Sequence, residues 1–392
     1  MIRWLATTSK WLVLGVMLWL AAPAAAQSTT SIEIQYGERI TFRVADADLI
    51  GGSLRVTAAE AVIADGQAEV TENGLRYVLD AANLPPAASL SAAWTVTTAD
   101  GTVRDLPPET HYNITPAVDW QTTQGPRVTV WTAAGTADPV VYLTWAEESL
   151  AMLEADLRHD SETRYTLVVY GELSLFTQAL RSHNTWIQDW VAAYALPEHR
   201  IALTAVGPGG DALLQRDIAH EMAHLMLHDI SGGEPLPGWL DEGIALSTGE
   251  NPALDERLAE ALRSGETLPL DALCATSFTA LPPHEASLAY AQSQSVAAYV
   301  RTLYGSDGLR AALDASARGE DCPVVLDSLG GDQWLAYARR EQARTSGAAT
   351  GWIVVLAISA FIAALFVWPQ QPRDRRADYR AALADDDPTP YQ

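Results

Sequence analysis

His220-Glu221-Met222-Ala223-His224, followed eighteen residues after His224 by Glu242 inside Trp239-Leu240-Asp241-Glu242-Gly243-Ile244-Ala245, holds every group a zinc-dependent hydrolytic site needs. On a helix, histidines at i and i+4 share one face about 6 Å apart along the axis, so both imidazoles reach one ion. Glu221 follows the first of them and stands beside the ion without binding it, in position to take a proton from water. The helix itself is legible. Gly207-Pro208-Gly209-Gly210-Asp211 is a breaker cluster ending in a capping residue, so the helix is predicted from about Ala212 to just before Gly232-Gly233. Ile218, Met222, Leu225 and Leu214 give it an apolar side, while Arg216 and Asp217 keep it from being a membrane span.

Upstream of this helix the texture alternates. Val128 to Trp131 reads as a strand, Asp138-Pro139 caps and opens a helix running to about Leu157, and Tyr165 to Tyr170 and Ile201 to Val206 are apolar β-rich runs. Downstream it is mostly helical: one helix carries Glu242, Asn251-Pro252 starts another, and Ala289 to Tyr304 forms a further one ending at Gly305. Further upstream, from Ser31 to about Ile114, the pattern is two-periodic, as in Ile32, Ile34, Tyr36 and Ile40, Phe42, Val44. It is punctuated by Gly51-Gly52, Asn73-Gly74 and Asp100-Gly101. Residues 27–118 are therefore expected to form an all-β, sandwich-like module without catalytic residues, and 119–349 a second domain of mixed character.

The chain has 392 residues and 48% hydrophobic content, which excludes general disorder and leaves room for about two to three domains. Residues 1–26 carry Arg3 and Lys10, an apolar run and Ala24-Ala25-Ala26, the three parts of a secretory signal; an uncleaved anchor is the alternative. The run Gly351 to Trp368 has no charge and would make about 27 Å of helix. With Trp352 and Trp368 at its edges and Arg373, Arg375, Arg376 and Arg380 behind it, residues 350–369 are expected to span a membrane. Residues 370–392 would then be a cytoplasmic tail and the body of the chain extracytoplasmic, a single-pass membrane protein. A buried core helix is the other reading of that run. Formal charge is −24, and without residues 1–26 it becomes 23 − 49 = −26, so nucleic acid is excluded as a partner. Cys274 and Cys322 are the only cysteines; one disulfide or two buried thiols are both open.

The third ligand defines the subclass. Six positions after His224 stands Ile230, which removes the three-histidine metzincin arrangement. His228 lies on the same face but about 12 Å along the axis from His220, and fits a cation at the helix C-terminus better than a ligand. Glu242 remains. From Trp239 to Ala245 the chain resembles the gluzincin metallopeptidases, and among them the peptidase MA-like family, in which W-x-x-E-G-x-A follows H-E-x-x-H. The resemblance covers about residues 120–330, with Trp186, Trp190 and Leu196-Pro197 upstream and Tyr290, Ser293 and Tyr304-Gly305 downstream.

The resemblance implies an α+β gluzincin-like peptidase domain with a helical C-terminal half, placed between the sandwich-like module and one transmembrane helix. It also implies Zn²⁺ on His220, His224 and Glu242, with Glu221 as general base in the hydrolysis of a peptide or protein substrate. Tyr290 matches the family's oxyanion donor, with a core tyrosine as the equal alternative. Ile201 to Val206 is implied as the edge strand that receives an extended peptide. Leu246 departs from thermolysin-like enzymes, which place a carboxylate four residues after the third ligand; Asp217 and Asp241 are the candidates to replace it. No G-x-M-E-N-like segment marks an aminopeptidase. A non-catalytic envelope binding protein with a structural or vestigial zinc site is the reading from a different class.

Overall fold

The computed structural model describes residues 28–58, 61–185, 187, 191–207 and 210–344. The expected signal at 1–26, the span at 350–369 and the tail at 370–392 lie outside them, as do Trp186 and Trp190. Two compact units emerge: one runs to Glu234 and includes Thr248–Glu250, the other comprises Pro235–Ser247 and the chain from Asn251 onward.

The first unit opens with nine strands: β1 (Thr29–Gln35), β2 (Arg39–Ala45), β3 (Leu49–Ala58), β4 (Ala61–Gln67), β5 (Glu69–Thr71), β6 (Gly74–Asp80), β7 (Ala88–Thr98), β8 (Val103–Asp105) and β9 (Glu109–Asn113). They form two antiparallel sheets, ordered β1-β2-β6-β5 and β4-β3-β7-β8, with β9 also paired to β7. Alternation decides what each strand buries. In β7, Leu90, Ala92, Trp94 and Val96 are buried and the residues between them are not; they meet Ile40, Phe42 and Val44 of β2 in one core between the sheets.

A mixed sheet follows, built from β10 (Trp120–Gln124), β11 (Val128–Ala133), β12 (Tyr165–Tyr170), β13 (Ala193–Leu196) and β14 (Ile201–Ala205) in the order β10-β11-β12-β14-β13. The central pairs β11/β12 and β12/β14 are parallel and the outer two antiparallel. Its helices are α1 (Pro139–Leu157), α2 (Leu173–Ser182) and α3 (Gly210–Ile230). Asp138 caps α1, its carboxylate accepting from the Val140 N–H at 3.0 Å, with Pro139 in the first turn. The strand expected at the edge, Ile201–Ala205, is interior instead. All five of its residues are buried, the pattern of a strand flanked on both sides, and the edge belongs to Ala193–Leu196. One hydrophobic cluster joins Tyr36, Ala87 and Ile114 of the β-rich region to Val168, Tyr170 and Phe176 of this sheet and its α2 face. Tyr36 and Tyr170 share a hydrogen bond there, and burial first of all raises the pKa of both phenols.

The second unit is helical: α4 (Gly238–Leu246), α5 (Pro252–Ser264), α6 (Pro283–Ala317) and α7 (Cys322–Ser328). The helix expected to stop at Gly305 resumes after it, because Gly305 takes φ 66° and ψ −166° and lets two helical stretches meet at a break. A disulfide joins Cys274 to Cys322, with their Cα atoms 5.8 Å apart, which decides the alternative left open by the sequence.

The fold class requires one correction. It was expected to end in a transmembrane helix, yet no helix among the described residues is long and apolar enough to cross a membrane. The longest, α6, has 35 residues but carries Arg301, Asp307, Arg310 and Asp314, charges that a bilayer core would not accept. The architecture is a β-rich N-terminal region followed by an α/β sheet and a helical C-terminal half, and membrane attachment through a C-terminal span has no support in it.

Candidate metal centre

α3 is buried over most of its circumference between Ile218 and Leu227, and this carries Glu221 inside at 7% exposure. His220 and His224, one turn apart, are half-buried. Their Nε2 atoms converge to 3.1 Å with the rings nearly perpendicular, at 88°. A carboxylate oxygen of Glu242, from α4, completes the set: the three ligand atoms lie within 4.8 Å of one another. This donor set fits zinc. Two nitrogens bound at tetrahedral angles to one Zn²⁺ would stand about 3.3 Å apart, close to the spacing present, and two imidazoles with one carboxylate leave one position of four open. Among the described residues these are the only three His, Cys, Asp or Glu side chains so grouped.

α4, which carries Glu242, is closely packed within its own unit. Trp239, Leu240, Gly243, Ile244 and Ala245 are all buried, so only the Asp241–Glu242 side of the first turns is left partly open. Asp217 is occupied by the Arg216 guanidinium, at 2.9 and 3.2 Å, and Asp241 sits in the first turn of α4, where a negative charge suits the helix dipole. His228 lies in the last turn of α3, where its carbonyl accepts from the Ser231 hydroxyl and the Gly233 N–H, and it is not one of the clustered ligands. Tyr290 lies on α6, half-buried, its ring 5.4 Å from that of Phe278 in an edge-on contact.

One residue near Glu221 was not singled out from the sequence. Tyr194, in the edge strand β13, has its phenol pKa raised by burial and then by the negative charge of Glu221. Its four-residue strand has too little periodicity to announce itself, and Leu196-Pro197 was the only signal nearby. Near the C-terminal end of α3 the Tyr165 hydroxyl donates to Asp229 at 2.7 Å, and that bond, after burial, pushes the phenol far above its ordinary value.

The profile of the Peptidase MA superfamily matches residues 145–331, a stretch that contains both histidines, Glu221, Glu242 and Tyr290. No curated protein matches the chain. Among solved structures, a polysaccharide deacetylase from Bacillus cereus and a protein from Bacillus anthracis provisionally assigned the same activity are each 9% identical, with a TM-score of 0.20. Each match covers 42% of this chain and 58% of the other, so the chain spans less than two thirds of their length. Likeness at that level carries no inference about fold or activity.

Proposed function

We propose that this chain, whose residues 145–331 belong to the Peptidase MA superfamily, hydrolyses peptide bonds with the aid of a zinc ion held by His220, His224 and Glu242. The observation that carries the reading is the convergence of those three ligand atoms within 4.8 Å, two of them on the helix that also buries Glu221. When bound, zinc supplies Lewis acidity, bringing the pKa of a water down towards 7 and polarising a peptide carbonyl. Glu221 accepts the proton of the attacking water on its carboxylate and returns it to the leaving amine. Its shielding from bulk solvent keeps that transfer local. Tyr290 is assigned as donor to the oxyanion, resting on its match to the family's position. The substrate is a peptide or protein, and the disulfide between Cys274 and Cys322 supports work outside the reducing cytoplasm.

The test uses the full chain. Bound zinc is measured, and cleavage of a broad peptide library is compared between the parent and Glu221→Gln. The variant is expected to keep the metal and lose turnover. Equal cleavage by both proteins, or none by the parent across the library, would sink the reading and leave a metal-stabilised binding protein. Glu242→Gln is expected to bind zinc measurably but more weakly, through the two histidines that remain; undiminished affinity would mean a different third ligand.

A further inference from the structure

The helix that presents Glu242 is seated on a loop which the disulfide ties down. Cys274 closes the 3₁₀ turn Leu270–Cys274 and is bonded to Cys322, the first residue of α7. The next carbonyl along, that of Ala275, accepts from the N–H of Gly238 at 2.8 Å. Gly238 opens α4, and Pro237 before it offers no side-chain cap, so this carbonyl satisfies one of the donors that every helix start leaves over. Phe278, wholly buried, presses on the same residue: a β-carbon on Gly238 would lie 2.5 Å from Phe278 Cζ and 2.6 Å from Ala275 O. The ring of Phe278 in turn meets Tyr290 of α6. Glu242 stands four residues after Gly238, on the same face and about 6 Å further along the axis, so movement of this seat is transmitted to its carboxylate.

We propose that the Cys274–Cys322 disulfide is a positioning element for the metal ligand Glu242, acting through the Ala275–Phe278 segment on the first turn of α4. This rests on the zinc reading above. The bond closes a loop with a sequence separation of 48, and without it the segment keeps the ring contact of Phe278 with Tyr290 of α6 and the upstream clamp of Leu268 by the Gln292 amide but loses its covalent tie to α7. The ligand shell then loses the fixed geometry of its carboxylate while its histidines stay on α3. Supports of metal ligands of this kind typically change affinity by about 10- to 100-fold.

The experiment measures zinc affinity of the full chain by competition with a chromophoric chelator, without dithiols, which themselves bind zinc. The double variant Cys274→Ala/Cys322→Ala is expected to bind zinc about 10- to 100-fold more weakly at a temperature where its far-ultraviolet circular dichroism equals that of the parent. In a Glu242→Gln background the same double substitution is expected to add no further loss, which a general loosening of the fold would not reproduce. Gly238→Ala keeps the disulfide and disturbs only the seat, and is expected to weaken zinc in the same direction; it serves as well where the double variant folds poorly. Unchanged affinity in either variant, or an equal further loss in the Glu242→Gln background, overturns the proposal while leaving the zinc reading intact. A parent chain that binds no zinc brings down both.

Discussion

Gly243 of α4 and Ser293 of α6 meet so closely that a β-carbon on Gly243 would lie 2.5 Å from the Ser293 carbonyl oxygen and 2.9 Å from Ala297 Cβ. The glycine that follows Glu242 is thus required by contact between two helices. Alanine in its place would gain about 1 kcal/mol of helix propensity. It would also strike a backbone oxygen that cannot turn aside, an overpacking that costs about 1–3 kcal/mol. Gly243→Ala is expected to lower the denaturant midpoint and weaken zinc retention together. An unchanged midpoint would show that α4 and α6 have slack to separate.

If zinc occupies the three ligands as proposed, its removal is expected to cost stability, because an ion that binds only the folded ligands stabilises by mass action, about 2.7 kcal/mol at a free concentration 100 times the dissociation constant. Thermal unfolding with and without a chelator measures this. Restoring zinc should recover the parent melting temperature, and in Glu242→Gln most of the difference should vanish. A melting temperature indifferent to zinc in the parent would remove the ion from the fold.

His199 introduces acid sensitivity outside the candidate ligand set. Its ring lies 5.6 Å from that of His183, and burial, then the proximity of His183, lowers its pKa, with Glu198 opposing. The unfolded chain, with a histidine pKa of about 6.5, takes up this proton at a higher pH than the folded protein does. The contribution is therefore fully present above about pH 6.5 and is lost as pH falls through the lower folded value. Melting temperatures of the parent are expected to decline through that window more steeply than those of His199→Gln. Parallel profiles would assign the acid loss to other groups.

Glu147 ties α1 to the start of β11. One of its carboxylate oxygens accepts from the N–H groups of both Arg127 and Val128 at 2.9 Å. Glu147→Ala strands those two donors and is expected to destabilise by about 1.5–3 kcal/mol, whereas Glu147→Gln keeps an acceptor and should cost less. Chemical denaturation of the pair distinguishes them, and equal losses would point to packing of the side-chain stem.

The His/His/Glu cluster was legible in the sequence because its signals are local. Two histidines one turn apart, and Glu242 flanked by Trp239 and Gly243, need only helix periodicity to be read, and Asp138-Pro139 likewise announces α1 by its own chemistry. What was misread or left open depended on distant partners. Ile201–Ala205 is apolar enough to suit either an edge or an interior strand, and only its pairing with both Tyr165–Tyr170 and Ala193–Leu196 decides between them. The disulfide needed Cys322 to be brought back across 48 positions. The break at Gly305 looked like a helix end because the sequence does not reveal that the chain resumes its helix beyond it.

The cluster shared by Tyr36, Ala87 and Ile114 with Tyr170 and Phe176 makes the N-terminal strands part of what keeps the mixed sheet dry. Tyr170 and Phe176, at 1% and 0% exposure, owe part of that cover to residues well ahead of the peptidase-like region. Trimming the chain to its chemistry would therefore uncover an aromatic surface. Solubility, read by sedimentation, is the property such a shortened protein is expected to lose first, before turnover.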